Sequence, residues 1–181
     1  MPARILAVSG SLQSGSANTA LVRLAAGLSD ERVEVRVFEG LAELPYFNPD
    51  LDGEDPPHSV VELRARFGAA DGLLIASPEY AHEMPGVLKN ALDWLVRSGE
   101  LYAKPVAVLC AAPSAERGVY VREALQRTLT AQGASIVASA TLAVPPPAQR
   151  AVQPWSPEAT AQLSRILEAL TSTSAAPPPR G

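Results

Sequence analysis

Residues 77–94 read Ser77-Pro78-Glu79-Tyr80-Ala81-His82-Glu83-Met84-Pro85-Gly86-Val87-Leu88-Lys89-Asn90-Ala91-Leu92-Asp93-Trp94. They directly follow an apolar run, Leu73 to Ala76, that has the composition of a buried strand. The stretch therefore lies where an α/β protein places a ligand, past the carboxyl end of a parallel strand and before the next helix. Its prolines make the loop stiff, so that it can present backbone groups to a planar ring.

Outward from this loop, short apolar runs alternate with helical patterns along the chain. The runs are Arg4–Ser9, Val33–Phe38, Gly72–Ala76, Pro105–Ala111 and Ser135–Ala140. The helical patterns are Leu21–Leu28, Val60–Phe67, Leu88–Leu95, Val121–Thr128 and a last helix with Ser156 as N-cap and Pro157 at its first position. The runs lack strict polar alternation, which indicates parallel strands covered on both faces. The order predicts a flavodoxin-like α/β fold: a three-layer, doubly wound, five-stranded parallel sheet with order 2-1-3-4-5.

The length of 181 residues predicts one domain, which we assign to residues 1–170. Residues 171–181 are rich in Pro, Ser, Thr and Ala and are predicted to be a disordered tail. Residues 42–58 hold four prolines and are interpreted as a long structured loop that lines the crevice or a partner surface. Residues 139–155 cross three consecutive prolines and are predicted to be extended.

Composition narrows the class of partner. The net charge is −4 and no Lys/Arg cluster is present, which argues against nucleic acid or an anionic membrane surface. The single cysteine, Cys110, excludes an internal disulfide framework and is interpreted as a small core residue. Two histidines without Cys/His spacing predict no metal site. The sequence shows no signal-peptide pattern and no membrane-length apolar run, so the expected location is cytoplasmic.

The loop after the first strand is rich in hydroxyl groups. It carries Gly10 and Gly15, but Ser16-Ala17 stands where a nucleotide-triphosphate loop needs Lys-Ser/Thr, and the dinucleotide pattern G-x-G-x-x-G is absent. The polar residues that remain around the helix start are Ser11, Ser14, Ser16, Asn18 and Thr19. A helix N-terminus with such donors can bind a phosphate monoester without a cation. The alternative, that Ser14 or Ser16 serves as helix cap, accounts for one of these residues.

Two motifs carry a resemblance to a known family. The motifs are Gly10-Ser11-Leu12-x-x-x-Ser16-x-Asn18 and Pro78-Glu79-Tyr80-x-x-x-x-Pro85-Gly86-x-Leu88-Lys89-Asn90-Ala91-x-Asp93-Trp94. Over residues 4–142 the chain resembles the NADPH-dependent FMN reductases, a family with a flavodoxin-like fold that includes quinone, azo-dye and chromate reductases. The resemblance implies bound FMN, NADPH or NADH as hydride donor, a small-molecule electron acceptor, ping-pong kinetics, no catalytic side chain, and a homodimer or homotetramer.

The resemblance also implies which residues touch the cofactor. The phosphate would be held by Ser11, Gln13, Ser16, Asn18 and the amide of Ala17. The ring would be bordered by Pro78, Glu79, Tyr80 and Ala81. A third loop, after the fourth strand, would reach the other edge of the ring with Ser114, Arg117 and Gly118, and Arg117 is a candidate to balance charge there or to recognise the phosphate of NADPH.

The chain departs from the family pattern at three places. Gln13 stands where many relatives have Arg, Ala81-His82 stands where many have Asn after Glu-Tyr, and Ala115-Glu116 stands where glycines are common. Because of these departures two other functions stay open on the same fold. One is an FMN-binding electron carrier that does not oxidise NADPH, and the other is a flavin-free binding or regulatory module.

Side chains around the second loop also have simpler interpretations. Lys89 and Asp93 are spaced for an ion pair on a helix surface. Trp94 is interpreted as a packing or subunit-interface residue, not as a flavin-stacking group. His82 is interpreted as a residue at the rim of the pocket.

Overall fold

A computed structural model describes residues 1–114, 116–144 and 155–174 of the chain. Its strands are β1 Ala3–Ser9, β2 Val33–Phe38, β3 Gly72–Ala76, β4 Pro105–Ala112 and β5 Ser135–Ala143. They form a parallel sheet of order β2-β1-β3-β4-β5, which confirms the predicted topology. β3 and β4 are buried along their whole length, as expected for central strands covered on both faces.

Helices cover both faces of the sheet. They are α1 Ala17–Gly27, α2 His58–Ala69, α3 Gly86–Asp93, α4 Val119–Ala131 and α5 Pro157–Ser174. One buried apolar cluster lies between the sheet and α2, α3 and α4, and a second lies between the sheet and α1 and α5. Two apolar cores on opposite faces of one sheet give the three layers that the sequence predicted.

The last helix begins at the predicted residue but ends later than predicted. Ser156 Oγ accepts a hydrogen bond from Ala159 N at 3.2 Å, so it caps the start of α5. The helix continues to Ser174, so residues 171–174 are helical and the predicted tail boundary was four residues early. Thr171 Oγ1 donates to Glu168 O at 2.8 Å, so its hydroxyl has a partner within the helix. The rest of the predicted tail, residues 175–181, and the proline-rich segment 145–154 lie outside the described residues.

Two residues of the second motif hold the loop that follows β2. Asn90 Nδ2 and Trp94 Nε1 both donate to Pro45 O at 2.9 Å, and Phe47 N donates to Asn90 Oδ1 at 2.7 Å. The Trp94 ring is fully buried in this chain and packs edge-on against Phe47, with 5.0 Å between ring centroids. Trp94 is therefore a packing residue, which was one of the two roles predicted for it. That residues 42–58 also line the crevice stays a prediction.

Helix α3, which belongs to the second motif, carries the expected ion pair. Lys89 Nζ lies 2.6 Å from Asp93 Oδ1. None of the helices in the described ranges has the length and hydropathy that a membrane-spanning segment needs.

Candidate functional site

The two informative loops meet at the carboxyl ends of β1 and β3, which are neighbours in the sheet. Ser9 pairs with Ala76 in the parallel register, and Gly10 N donates to Ala76 O at 2.8 Å. A Cβ on Gly10 would lie 2.9 Å from both Ser77 Oγ and Leu88 Cδ2. Glycine at position 10 therefore lets the first loop run directly against the second. Their junction is the topological switch point of the sheet, where open α/β proteins bind ligands.

Ser16 is the N-cap of α1. Its buried Oγ accepts hydrogen bonds from Asn18 N at 3.2 Å and Thr19 N at 3.4 Å, which confirms capping for one hydroxyl of the first loop. The Ser16 hydroxyl proton is still able to donate to a ligand. Among the described residues Ala17 N has no hydrogen-bond partner, so this amide is a donor available at the positive end of the helix.

Asn18 has a structural contact that the sequence did not reveal. Its side chain is buried, and Oδ1 accepts from Ala111 N at 2.8 Å, across 93 positions of the chain. The bond ties the start of α1 to the end of β4. Since Oδ1 is engaged, Nδ2 is the part of the side chain that can donate to a ligand.

The rest of the first loop is braced by its own side chains. Ser9 and Thr19 share a hydroxyl–hydroxyl bond of 2.8 Å, and Ser9 Oγ also accepts from Ser11 N at 3.3 Å. Ser11 Oγ in turn accepts from Gln13 N at 3.2 Å. Gln13 itself is exposed. Thr19 is thus an internal brace, whereas Ser11 and Gln13 keep polar groups at the surface of the loop.

A cation lies close to the first loop despite Gln13. Arg23, on the second turn of α1, lines the same surface depression as Ser14 and Ala17. Its only ion pair within the described part of the chain is a long contact with Glu39, at 3.5 Å between exposed side chains. Such a pair leaves the guanidinium free to turn toward an anion at little cost.

The second loop contains a tight turn in a strained conformation. Tyr80 and Glu83 exchange two backbone hydrogen bonds of 3.0 Å, and the residues between them have left-handed φ values, 50° for Ala81 and 64° for His82. Positive φ at both central positions is the type I′ geometry, which favours Asn and Gly. This region costs an L-residue with a Cβ roughly 1–2 kcal/mol. Ala81 and His82 therefore occupy positions whose geometry favours asparagine and glycine.

Three side-chain contacts to α4 hold this turn, and the sequence predicted none of them. The His82 ring stacks on Tyr120, with centroids 4.1 Å apart and planes 28° apart. Glu83 Oε1 lies 3.5 Å from an Arg127 nitrogen. Glu79 Oε2 accepts from Val121 N at 3.1 Å. The conformation of the second loop therefore depends on the position of α4.

Relieving the strain in the turn should stabilise the protein. We expect Ala81→Asn to raise the free energy of unfolding by about 0.5–1 kcal/mol, because asparagine tolerates the left-handed region. Urea unfolding measures the change. The same substitution at Ala161, an exposed residue in the interior of α5, should lower stability by about 0.5 kcal/mol through helix propensity. Equal effects at the two positions would show that the turn is not strained.

The third loop is built around Gly118, the N-cap of α4, which has a φ of 77°. A Cβ on Gly118 would lie 2.7 Å from Cys110 Cβ and closer still to Cys110 Sγ. Arg117 O, beside it, accepts from Thr141 Oγ1 at 2.7 Å, which fastens the loop to β5. The Ser114 hydroxyl, bonded to the Glu116 carboxyl, holds the pKa of that exposed group below its usual value, and Glu116 stays ionised. Ala115 lies outside the described residues.

A cleft of about 380 Å³ lies between the second and third loops. It is lined by Pro78, Glu79, Cys110, Ala111, Ala112, Pro113, Glu116, Arg117, Gly118, Val119 and Tyr120. Four of the predicted ring-contacting residues are in this lining, whereas Tyr80, Ala81 and Ser114 lie outside it. The predicted phosphate residues form a separate part of the site at the start of α1. The size suits a small-molecule site.

The cleft holds no reactive thiol. Burial, with a smaller effect of the negative charge of Glu79, raises the pKa of Cys110 to about 11. The thiol is therefore protonated at neutral pH, in agreement with its interpretation as a core residue. Across residues 1–114, 116–144 and 155–174 there is no group of three or more His, Cys, Asp or Glu side chains that could hold a metal ion.

A five-stranded parallel sheet of order 2-1-3-4-5 with loops meeting at its switch point defines a flavodoxin-like α/β protein. The sequence profile of the NADPH-dependent FMN reductases matches residues 3–148, and the chain belongs to that family. It is 40% identical over 118 residues to a probable NADPH:quinone oxidoreductase 2 of Oryza sativa subsp. japonica. The matched residues make up 64% of this chain and 58% of that protein. It is also 40% identical over 111 residues to an NAD(P)H-dependent FMN reductase of Pseudomonas aeruginosa, which covers 60% of each.

The matched stretch thus spans less than two thirds of these relatives' length. Among solved structures, the flavoenzyme NAD(P)H:(acceptor) oxidoreductase FerB of Paracoccus denitrificans is similar over 95% of this chain and 97% of its own, with a TM-score of 0.74 and 25% identity. Flavodoxin 1 of Bacillus cereus matches with a TM-score of 0.62 at 17% identity, over 94% of this chain and 98% of its own, which supports the fold alone.

Proposed function

We propose that this chain is an NAD(P)H-dependent flavin reductase that passes a hydride through bound FMN to a small acceptor in a ping-pong sequence. Acceptors of this kind are quinones, free flavins, azo compounds and metal oxyanions. The observation that carries the proposal is the meeting, at the switch point of the sheet, of the donor-rich first loop with the second loop, which forms one wall of an open cleft. The relatives named as FMN and quinone reductases support it.

The described residues at the first loop fit a phosphate monoester. Ala17 N has no partner among the described residues and lies at the positive end of α1, and the hydroxyl groups of Ser11 and Ser16 and the amide of Asn18 can add donors. Arg23 lies in the adjacent depression and supplies the positive charge that Gln13 lacks. We assign Ser11, Gln13, Ser16, Ala17 and Asn18 to the phosphate.

The second and third loops fit a flat aromatic ring. Pro78 and Glu79 form one wall of the cleft, Arg117 and Gly118 form another, and Tyr80, Ala81 and Ser114 lie beside them. When bound, FMN would supply the two-electron chemistry between NAD(P)H and the acceptor. The protein would contribute binding, orientation and charge, and we assign no side chain as a catalytic residue.

Anaerobic absorbance spectroscopy tests this function. The FMN-reconstituted protein should lose its oxidised-flavin absorbance when NADPH or NADH is added, and a quinone should restore it. Protein that binds FMN but is not reduced by either nucleotide would indicate the electron-carrier alternative. Protein that leaves FMN fluorescence unquenched would indicate the flavin-free alternative. Either result would overturn the proposed reductase.

The charge of Glu116 gives a prediction for the nucleotide substrate. Its ionised carboxylate lines the cleft and repels an incoming nucleotide phosphate. We expect Glu116→Gln to lower the KM for NADPH by roughly twofold to fivefold, more at low ionic strength, with kcat little changed. Glu123→Gln removes the same charge from an exposed residue of α4 outside the cleft lining and should leave KM unchanged. A KM that responds equally to both variants would exclude a local role for Glu116.

We extend the proposal to a homodimer or homotetramer, as the resemblance implies, and to a location in the cytoplasm. Light scattering on the purified holoprotein measures the oligomeric state directly. A monomer at micromolar concentration would contradict this part of the proposal alone.

A further inference from the structure

Helix α4 starts without a capping side chain of its own. Its N-cap is Gly118, and the bare first turn leaves backbone N–H groups that need partners. Serine, threonine, asparagine or aspartate would normally fill this position. Here none of them fits, because any Cβ on residue 118 would lie 2.7 Å from Cys110 Cβ and even nearer to the sulfur.

The missing cap is supplied from the opposite side of the cleft. Glu79 Oε2 accepts from Val121 N, the third residue of α4, at 3.1 Å across 42 positions of the chain. A carboxylate at this place also faces the positive end of the helix dipole. Glu79 is only partly exposed and lines the cleft together with Cys110.

The bond joins the two loops that form the walls of the cleft. Glu79 belongs to the second loop, and Gly118 and Val121 belong to the turn that ends the third loop and starts α4. Across the described residues, the second loop makes two further side-chain contacts with α4, an exposed ion pair of Glu83 with Arg127 and the stacking of His82 on Tyr120. Among the three, the Glu79 bond is the one made to the helix backbone, so it fixes where α4 begins.

We propose that Glu79 is a positioning residue, whose carboxylate caps α4 from across the cleft and sets the distance between the second and third loops. The part that concerns the flavin rests on the proposed function. The resemblance implied only that Glu79 borders the ring, whereas the bond of its carboxylate to Val121 N gives the side chain a role toward the helix. The acid is needed for reach and for charge, and glutamine should replace it in part.

Three variants test the proposal: Glu79→Ala, Glu79→Gln and the matched control Glu83→Ala, which removes a carboxylate from the same loop. Hydrogen exchange on the flavin-free protein is the first readout. Glu79→Ala should speed exchange of the Val121 amide by about fivefold, the size of a lost cap. Glu79→Gln should give a smaller increase and Glu83→Ala none. Unchanged exchange in Glu79→Ala would overturn the cap.

Flavin affinity is the second readout, measured by fluorescence quenching well below the unfolding temperature. Glu79→Ala should raise the Kd of FMN about tenfold, and Glu79→Gln should bring it back to within about threefold of wild type. Faster exchange with an unchanged Kd of FMN would show that Glu79 only stabilises the helix, and would overturn the proposal that it positions the two loops. A glutamine variant as weak as alanine, with a shifted flavin spectrum, would show direct contact with the ring and also overturn it. Wild-type protein that does not bind FMN would refute the proposed function. The exchange data would still decide whether Glu79 caps α4.

Discussion

Gly118→Ala is expected to lower the free energy of unfolding by about 4 kcal/mol, the largest single effect that the structure predicts. Two costs add at this position. The φ of 77° is unfavourable for any residue with a Cβ, and the new methyl would overlap the side chain of Cys110. Relief of the overlap would move the third loop away from β4. Flavin binding should therefore be lost together with stability, which urea unfolding and FMN fluorescence quenching measure.

Gly99→Ala is the matched control for this substitution. Gly99 has a φ of 79°, but a Cβ added there would meet no neighbouring atom within 4 Å. The control therefore carries the conformational cost alone, about 1–2 kcal/mol, and should bind FMN normally. The difference between the two variants measures the overlap with Cys110. If Gly118→Ala were no more destabilising than Gly99→Ala, the close packing of the third loop on β4 would be wrong.

Ser16→Asp is expected to raise the Kd of FMN roughly a hundredfold while the fold is kept. Aspartate caps a helix as well as serine does, so the bonds to Asn18 N and Thr19 N can be retained. The new charge, however, would lie at the proposed phosphate position, and a carboxylate near a dianion costs about 3 kcal/mol at an effective dielectric constant of about 20. Riboflavin has no phosphate, so its affinity should not change.

Ser156→Asp repeats the substitution at the N-cap of α5, outside the proposed site. It should keep both stability and FMN affinity. Parallel fluorescence titrations should therefore show weaker binding of FMN, but not of riboflavin, and only in Ser16→Asp. Equal FMN affinity in the two variants would contradict the assignment of the phosphate to the start of α1.

The fold could be predicted because its signals are local. The central strands β3 and β4 are apolar runs with no polar alternation, the helices have repeating apolar stripes, and α5 carries the cap at Ser156 and Pro157. The position of the two loops then follows from the order of elements, since the switch point of this sheet lies between β1 and β3. The error at residues 171–174 came from reading Ser and Thr as a tail, although both can bond back to the helix.

The contacts that shape the site could not be predicted because they join distant residues. Nothing in the local sequence of Asn18 indicates that its oxygen accepts from Ala111, and nothing near Glu79 indicates a bond to Val121. One signal was present: a glycine directly before a helix, without a capping side chain, needs a cap from elsewhere. The tight turn was hidden for another reason, since Ala81-His82 lacks the Asn-Gly signature of its geometry.

The central claim is that FMN binds with its phosphate at the start of α1 and its ring in the cleft between the second and third loops. Titration of the wild-type protein with FMN and with riboflavin tests it most directly. We predict one FMN site per chain, with riboflavin at least about 30-fold weaker because it lacks the charge-assisted hydrogen bonds of the phosphate. No FMN binding, or equal affinity for the two flavins, would contradict the claim.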